Sequence, residues 1–221
     1  MRFILSLLAL AALTAAAPAR DWSTVAAKTA AGAYVIGNPR AAVKLIEYAS
    51  YTCSHCAEFS IQSDKELKGR LIRTGAVSLE FRHFVFNAID LAAAVLARCT
   101  GPRGFAATTT HLFATQGEWL PRGAAFLTAN QQRIQMYPRA GQVRALADGS
   151  GLTAAVVARG LSPKAVDACF ADTAEIDRIL AMTANKPAAI TSTPSFYVNG
   201  KLVGGAHWAE LQPHLRAAGA R

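Results

Sequence analysis

Two cysteines stand three positions apart in "EYASYTCSHCAEF", Glu47 to Phe59, where an apolar run gives way to a helical pattern. Such a pair can clip a metal, crosslink the chain or exchange electrons with other thiols. Structural zinc takes two such pairs, or one pair with spaced histidines. Here Cys99 and Cys169 are isolated, and no H-x3–5-H follows. Covalent haem needs a histidine directly after the second cysteine, and Ala57 occupies that place. Thiol chemistry fits better. A cysteine at a helix N-terminus sits beside unpaired backbone N–H groups and the positive end of the helix dipole, which favour thiolate. Cys53 is therefore the expected nucleophile, and Cys56, one turn in on the apolar face, the resolving thiol. His55 lies between them, where it can add positive charge or a hydrogen bond beside the Cys53 sulfur. Stabilising that thiolate stabilises the reduced pair and makes its disulfide more oxidising. The rival from another class is a copper- or zinc-sequestering protein using Cys53, His55 and Cys56 as ligands.

The elements around the pair can be read from apolar spacing. "AYVIGNPRA" offers a short strand and an Asn38-Pro39 turn after a polar, alanine-rich lead from Arg20 to Gly32. "VKLIEYA", Val43 to Ala49, is nearly continuous in apolar residues, as in a strand covered on both faces. Glu47 breaks that run and shares a face with Val43 and Leu45. A helix is expected from Ser54 to about Arg70. A second central strand then sets Val77, Leu79 and Phe81 against Ser78, Glu80 and Arg82. Strand, helix, strand favours a parallel right-handed crossover.

About a hundred residues without strand signal follow. Helices are expected over Asn87 to Cys99, Ala106 to Thr115, Arg122 to Met136 and Gly141 to Leu146. Trp119 with Leu120-Pro121 reads as a core anchor at a turn. Ser162-Pro163 opens another helix, to Phe170, and Asp172 with Glu175 forms a capping-box pattern for the next. Strand signals return at "STPSFYVNGKLVGGAHW", where Asn199-Gly200 marks a hairpin turn, and His207 to Ala218 can form a closing helix.

The chain of 221 residues is 52% hydrophobic, which supports a buried core and argues against disorder. Its first residues combine Arg2, an apolar run and small residues at Ala17-Pro18-Ala19, the pattern of a cleaved secretory signal over 1–19. That run is shorter than the roughly 20 residues a membrane-spanning helix needs. The expected location is thus the periplasm. Losing Arg2 takes the formal charge from +9 to +8, but the basic residues are scattered singly, which argues against nucleic acid as a partner.

An apolar strand, a C-x-x-C at a helix mouth, a later Thr193-Pro194 and a hairpin together resemble the thioredoxin fold. The long helical insertion between the second and third core strands resembles the DsbA-like periplasmic thiol–disulfide oxidoreductases. The resemblance implies an α/β thioredoxin fold. Its core is formed by 20–86 and 188–221, with an all-helical insertion over 87–187. It implies a protein disulfide oxidoreductase that introduces disulfides into reduced or unfolded exported proteins and is reoxidised by a quinone-linked membrane partner. A monomer is expected, with no cofactor beyond the Cys53–Cys56 disulfide. Thr193-Pro194 corresponds to the cis-proline loop facing the cysteines, with the Thr193 backbone open to an extended substrate segment. Glu47 falls where the family carries a buried acid that accepts a proton from the resolving thiol or tunes it; burial should raise its own pKa. The competing reading pairs Glu47 structurally with Arg82 or a lysine. Family members with Pro-His between the cysteines are oxidases, and this chain keeps the His but has Ser54 in place of that Pro. The alternative activity is an isomerase or reductase of the same fold. Such proteins usually carry an added oligomerisation segment, and Arg20 to Gly32 is too short for a folded domain.

Cys99 and Cys169 lie in expected helices of the insertion. In an exported protein they read as a structural disulfide stapling two helices, or else as two free buried thiols; a bond requires Cα atoms within about 7 Å. His83, His111, His207 and His214 follow no ligand spacing and read as packing or surface residues.

Overall fold

The computed structural model describes residues 20–221, so the expected signal segment 1–19 lies outside the described residues. Among the described residues, six strands form one sheet: β1 (Ala26–Lys28), β2 (Tyr34–Gly37), β3 (Val43–Ala49), β4 (Val77–His83), β5 (Ser195–Val198) and β6 (Lys201–Val203), in the order β1-β2-β4-β3-β5-β6. Only β3 and β4 run parallel, joined by the helical crossover between them; the other pairs are antiparallel. Val43, Leu45 and Ala49 line one face of β3 beside Val77, Leu79 and Phe81 of β4, and all six are buried.

The sequence carries no signal for β1, because "AAK" has neither β-branched nor aromatic residues. It forms by pairing with β2, Ala26 opposite Ile36. Lys28, at its end, reaches Glu175 of the insertion. The hairpin between β5 and β6 turns through Asn199 and Gly200 with φ of 48° and 80°, the two positive values of a type I′ turn. The Asn199 side chain also accepts from the Lys44 N–H at 2.7 Å, fixing the hairpin to β3.

Helix α1 (Ser54–Ser63) runs into a π-helical stretch, Asp64–Ile72, that continues past the expected end at Arg70. Its wider turns bury Leu67, Leu71 and Ile72 together. Seven helices then separate β4 from β5: α2 (Ala88–Cys99), α3 (Gly101–Ala114), α4 (Gln116–Gln135), α5 (Arg139–Gly149), α6 (Leu152–Ala158), α7 (Pro163–Ala171) and α8 (Thr173–Ala184). Every residue of α2 from Ile89 to Arg98 is buried, so this helix is the centre of the insertion.

Three local expectations change here. Helix α3 begins five residues before Ala106, with Pro102 in its first turn, where a missing N–H costs nothing. Trp119 is buried as expected but lies inside α4 rather than at a turn, its indole N–H donating to the Leu112 carbonyl at 2.8 Å. Asp172 caps α8 by accepting from the Glu175 N–H, yet the Glu175 side chain turns to Lys28, Arg98 and Arg178 instead of closing the box. A buried guanidinium draws that carboxylate more strongly than an exposed backbone N–H can.

Cys99 ends α2 and Cys169 lies in α7; their sulfurs are bonded, with Cα atoms 5.8 Å apart. The chain closes with α9 (Trp208–Ala217). Among the described residues, no helix is long and apolar enough to cross a membrane.

Candidate active site

Strand β3 delivers the chain through Ser50-Tyr51-Thr52 to Cys53, the N-cap of α1. That loop is held from the insertion. Asp90 of α2 accepts from the Ser50 hydroxyl at 2.5 Å, the Tyr51 N–H at 2.8 Å and the Phe86 N–H at 2.9 Å. The Gln116 amide, at the start of α4, donates to the carbonyls of Tyr51 and Cys53 at 2.8 and 3.0 Å. The Tyr51 hydroxyl meets Thr109 of α3 at 2.8 Å. Burial pushes the Asp90 carboxyl up to about 6, against the pull of its donors.

Both cysteines are free thiols in this structure. Cys53 is half-buried, with its sulfur 3.3 Å from the Thr193 carbonyl oxygen. Its pKa is lowered to about 5. The Cys56 thiol is the largest cause; the backbone N–H groups of Cys56 and His55 add to it and overcome burial. Cys56, one helical turn away, is fully buried, and burial first, then its bond to Cys53 and the charge of Glu47, drive its thiol far upward. One sulfur is thus an anion at neutral pH and the other a thiol.

Thr193-Pro194 is a cis peptide preceding β5, and it brings the Thr193 carbonyl against the Cys53 sulfur. The Thr193 hydroxyl is buried without a hydrogen-bond partner.

Glu47 is 4% exposed, and its Oε1 has no hydrogen-bond partner. Its pKa is raised to about 8, by burial first and by the Cys53 charge, with Lys68 opposing. Arg82 is not its partner. The parallel register sets Glu47 beside Phe81 and Tyr48 beside Arg82, so the alternation of the strands puts the guanidinium on the other face. There it donates to Tyr48 and Glu80 at 2.6 and 2.7 Å. The cation that acts on Glu47 is Lys68, from the π-helical stretch, whose ammonium donates to Thr110 at 2.7 Å and lies 3.5 Å from Asp64.

His55 differs from its expected role. Its side chain is exposed and faces Glu58 and His207; what reaches the Cys53 sulfur is its backbone N–H. His55 is the second residue after the N-cap, where the side chain points outward, away from the sulfur. The metal set Cys53, His55 and Cys56 is not gathered either. Among the described residues, neither cysteine joins a cluster of possible ligands. His83 is fully buried among the rings of Tyr51, Phe81 and Phe105, and burial holds its pKa well below the ordinary value. It is a neutral core imidazole.

Sequence reading missed Asp90, Gln116 and Lys68. The N-cap pattern of "NAID" marks the start of α2, where Asn87 accepts from the Asp90 N–H. Nothing in it shows that the Asp90 carboxylate turns under the loop before Cys53. Gln116 and Lys68 stand in polar stretches with no signal of burial.

The arrangement suits thiol–disulfide exchange: an accessible low-pKa sulfur, a shielded partner one turn away, and a buried acid able to hold a proton near neutrality.

A family model described as Thioredoxin matches residues 29–216. A crystal structure of a protein-disulfide isomerase from Novosphingobium aromaticivorans superposes with a TM-score of 0.75 and 33% identity, over 83% of this chain and 95% of that one. That of α-DsbA1 from Wolbachia pipientis gives a TM-score of 0.65 at 24% identity, over 83% of this chain and 89% of that one, a likeness of fold. A Rickettsia conorii protein named "Putative protein-disulfide oxidoreductase" is 30% identical over 174 residues, 77% of this chain and 54% of that protein. The chain thus spans about half the length of the curated relatives it matches.

Proposed function

Because the chain belongs to the thioredoxin family, we propose that it is a DsbA-like thiol–disulfide oxidoreductase that oxidises cysteine pairs in reduced or unfolded exported proteins. The observation that carries this reading is the asymmetry of the two sulfurs, Cys53 lowered to about 5 and Cys56 buried and raised. A client thiolate attacks the Cys53 sulfur of the enzyme disulfide. The Cys53–Cys56 bond breaks, and Cys56 takes its electron pair and a proton. Glu47, raised to about 8, holds a proton at neutral pH where Cys56 can receive it. A second client thiol then attacks the client sulfur of the mixed disulfide. Cys53 departs as a thiolate, and a low-pKa sulfur is the better leaving group. The client loses two electrons and two protons, and the enzyme is left with both thiols reduced. The resemblance supports export to the periplasm, action as a monomer and reoxidation by a quinone-linked membrane partner.

Two measurements test the reading. A Cys56→Ala variant should accumulate mixed disulfides with exported proteins through Cys53, and a failure to trap any would overturn the proposal. The reduction potential of Cys53–Cys56 sets direction: a value near about −120 mV fits an oxidase and one near about −270 mV a reductase. The second reading is an isomerase, favoured by the likeness to the Novosphingobium protein. It requires an intermediate potential and rescue of scrambled, already oxidised clients.

A further inference from the structure

Beside the redox pair, on the exposed rim of α1, three side chains converge that the proposed exchange chemistry does not use. His55 and Glu58 are three residues apart on α1 and share a face. His207 is the N-cap of α9. The His55 Nδ1 lies 3.8 Å from one oxygen of Glu58, and the His207 Nδ1 lies 3.7 Å from the other. A ligand atom from each of the three falls within 4.8 Å of the other two.

We propose that His55, Glu58 and His207 form a binding site for a first-row divalent cation of the zinc type. Zinc holds imidazole nitrogen and carboxylate oxygen at about 2.0–2.2 Å, so tetrahedral ligand atoms stand about 3.4 Å apart. The site is within a small side-chain rotation of that spacing. Two imidazoles and one carboxylate suit zinc, copper(II), nickel or cobalt, whereas calcium and magnesium prefer oxygen alone. The three side chains are 60%, 48% and 38% exposed, in the order His55, Glu58, His207, which leaves a fourth position open to water.

The backbone that carries His207 is fixed. Glu210 accepts from the N–H groups of Ala206 and His207 at 2.8 and 3.0 Å. Gln62 of α1 accepts from the Trp208 N–H at 3.3 Å, which ties the start of α9 to the helix bearing the other two ligands. An ordinary surface pair would need only His55 and Glu58. A second imidazole presented to the same carboxylate by a separate, anchored helix is what points to a cation. No thiol takes part, so the site stands or falls independently of the exchange chemistry. A bound cation would link α1 to α9 at the rim a client must approach to reach Cys53, and would slow exchange there.

The test titrates Zn²⁺ alone into the fully oxidised protein by calorimetry, so that no cysteine can ligate it. One equivalent should bind. Glu58→Gln and His207→Ala should each weaken binding at least about tenfold, while a Cys53→Ser/Cys56→Ser double variant should bind as wild type does. Three results would overturn the proposal: no uptake by the oxidised protein, uptake unchanged in both ligand variants, or uptake by the reduced protein alone that is lost with the cysteines.

Discussion

Replacing Glu47 by glutamine should stabilise the oxidised protein, and the gain should grow with pH. The Glu47 carboxyl is buried, one of its oxygens has no partner, and its pKa is raised from 4.5 to about 8. The folded state therefore binds this proton more tightly than the unfolded chain does. Stability linked to it is fully present below about pH 4.5 and is lost as pH rises through 8. Each pH unit across that window is worth about 1.4 kcal/mol. Burial, the largest cause, acts on the oxidised protein too, so ionised Glu47 costs on the order of a few kcal/mol at pH 8 and above, and less at pH 7. Glutamine keeps the shape and cannot ionise. Urea denaturation of both proteins, with both disulfides formed so that no thiol titrates, should give curves less than about 1 kcal/mol apart at pH 5. The curves should diverge by several kcal/mol by pH 8.5. A difference that stays flat across that range would refute the reasoning, because it would mean that Lys68 holds the carboxylate ionised at an ordinary pKa. The same variant should slow reduction of the enzyme disulfide, because Cys56 loses its proton source.

The other predictions concern the sulfur, its loop and the staple. Thiolate absorbance of the reduced protein should titrate with a midpoint near pH 5 and vanish in Cys53→Ser; a midpoint above pH 8 would contradict the hydrogen bonds assigned to that sulfur. Gln116→Ala leaves the Tyr51 carbonyl without its side-chain donor and the Cys53 carbonyl with the Ala57 N–H alone, which should cost about 1–3 kcal/mol and raise the Cys53 midpoint; an unchanged midpoint would make Gln116 a packing residue only. Asp90→Asn should likewise destabilise the loop, read by faster amide exchange at Tyr51. Replacing Cys99 and Cys169 by alanine opens a loop spanning 70 residues and should cost about 4 kcal/mol in denaturant unfolding, with the Cys53 titration unmoved.

How much the sequence revealed depended on whether a residue's role is local. The nucleophile, the resolving thiol, the β3 and β4 strands and the Asn199-Gly200 turn each follow from neighbours a few positions away, and each could be read. Glu47 could be placed because strand alternation puts it with Val43 and Leu45. Its partner could not, because the register between β3 and β4 decides it, and a one-residue difference moves Arg82 to the opposite face. His55 was read from its position between the sulfurs, but a helix turns its side chain outward and leaves only the N–H facing Cys53. Strand β1 has no propensity of its own and exists through β2 and the Lys28–Glu175 pair. Asp90 and Gln116 reach Tyr51 across 39 and 65 residues, and Lys68 acts from inside a π-helical turn; neither relation leaves a periodic trace.

The three titrating groups together fix how the proposed redox reaction couples to pH. At pH 7 the reduced pair carries its negative charge on Cys53 and a proton on Cys56, while Glu47 is mostly protonated. Reducing the disulfide then takes up two electrons and about one proton. A tenfold change in equilibrium is about 30 mV for a two-electron couple, so the potential should fall by about 30 mV per pH unit above pH 5. Below pH 5 the Cys53 thiol keeps its proton, two protons accompany two electrons, and the slope should double to about 60 mV. A break at pH 5 therefore locates Cys53 independently of absorbance. A slope of about 60 mV through pH 8 would mean that both sulfurs are protonated when reduced. In that case the stabilised thiolate, the physical basis for an oxidising disulfide, would be absent.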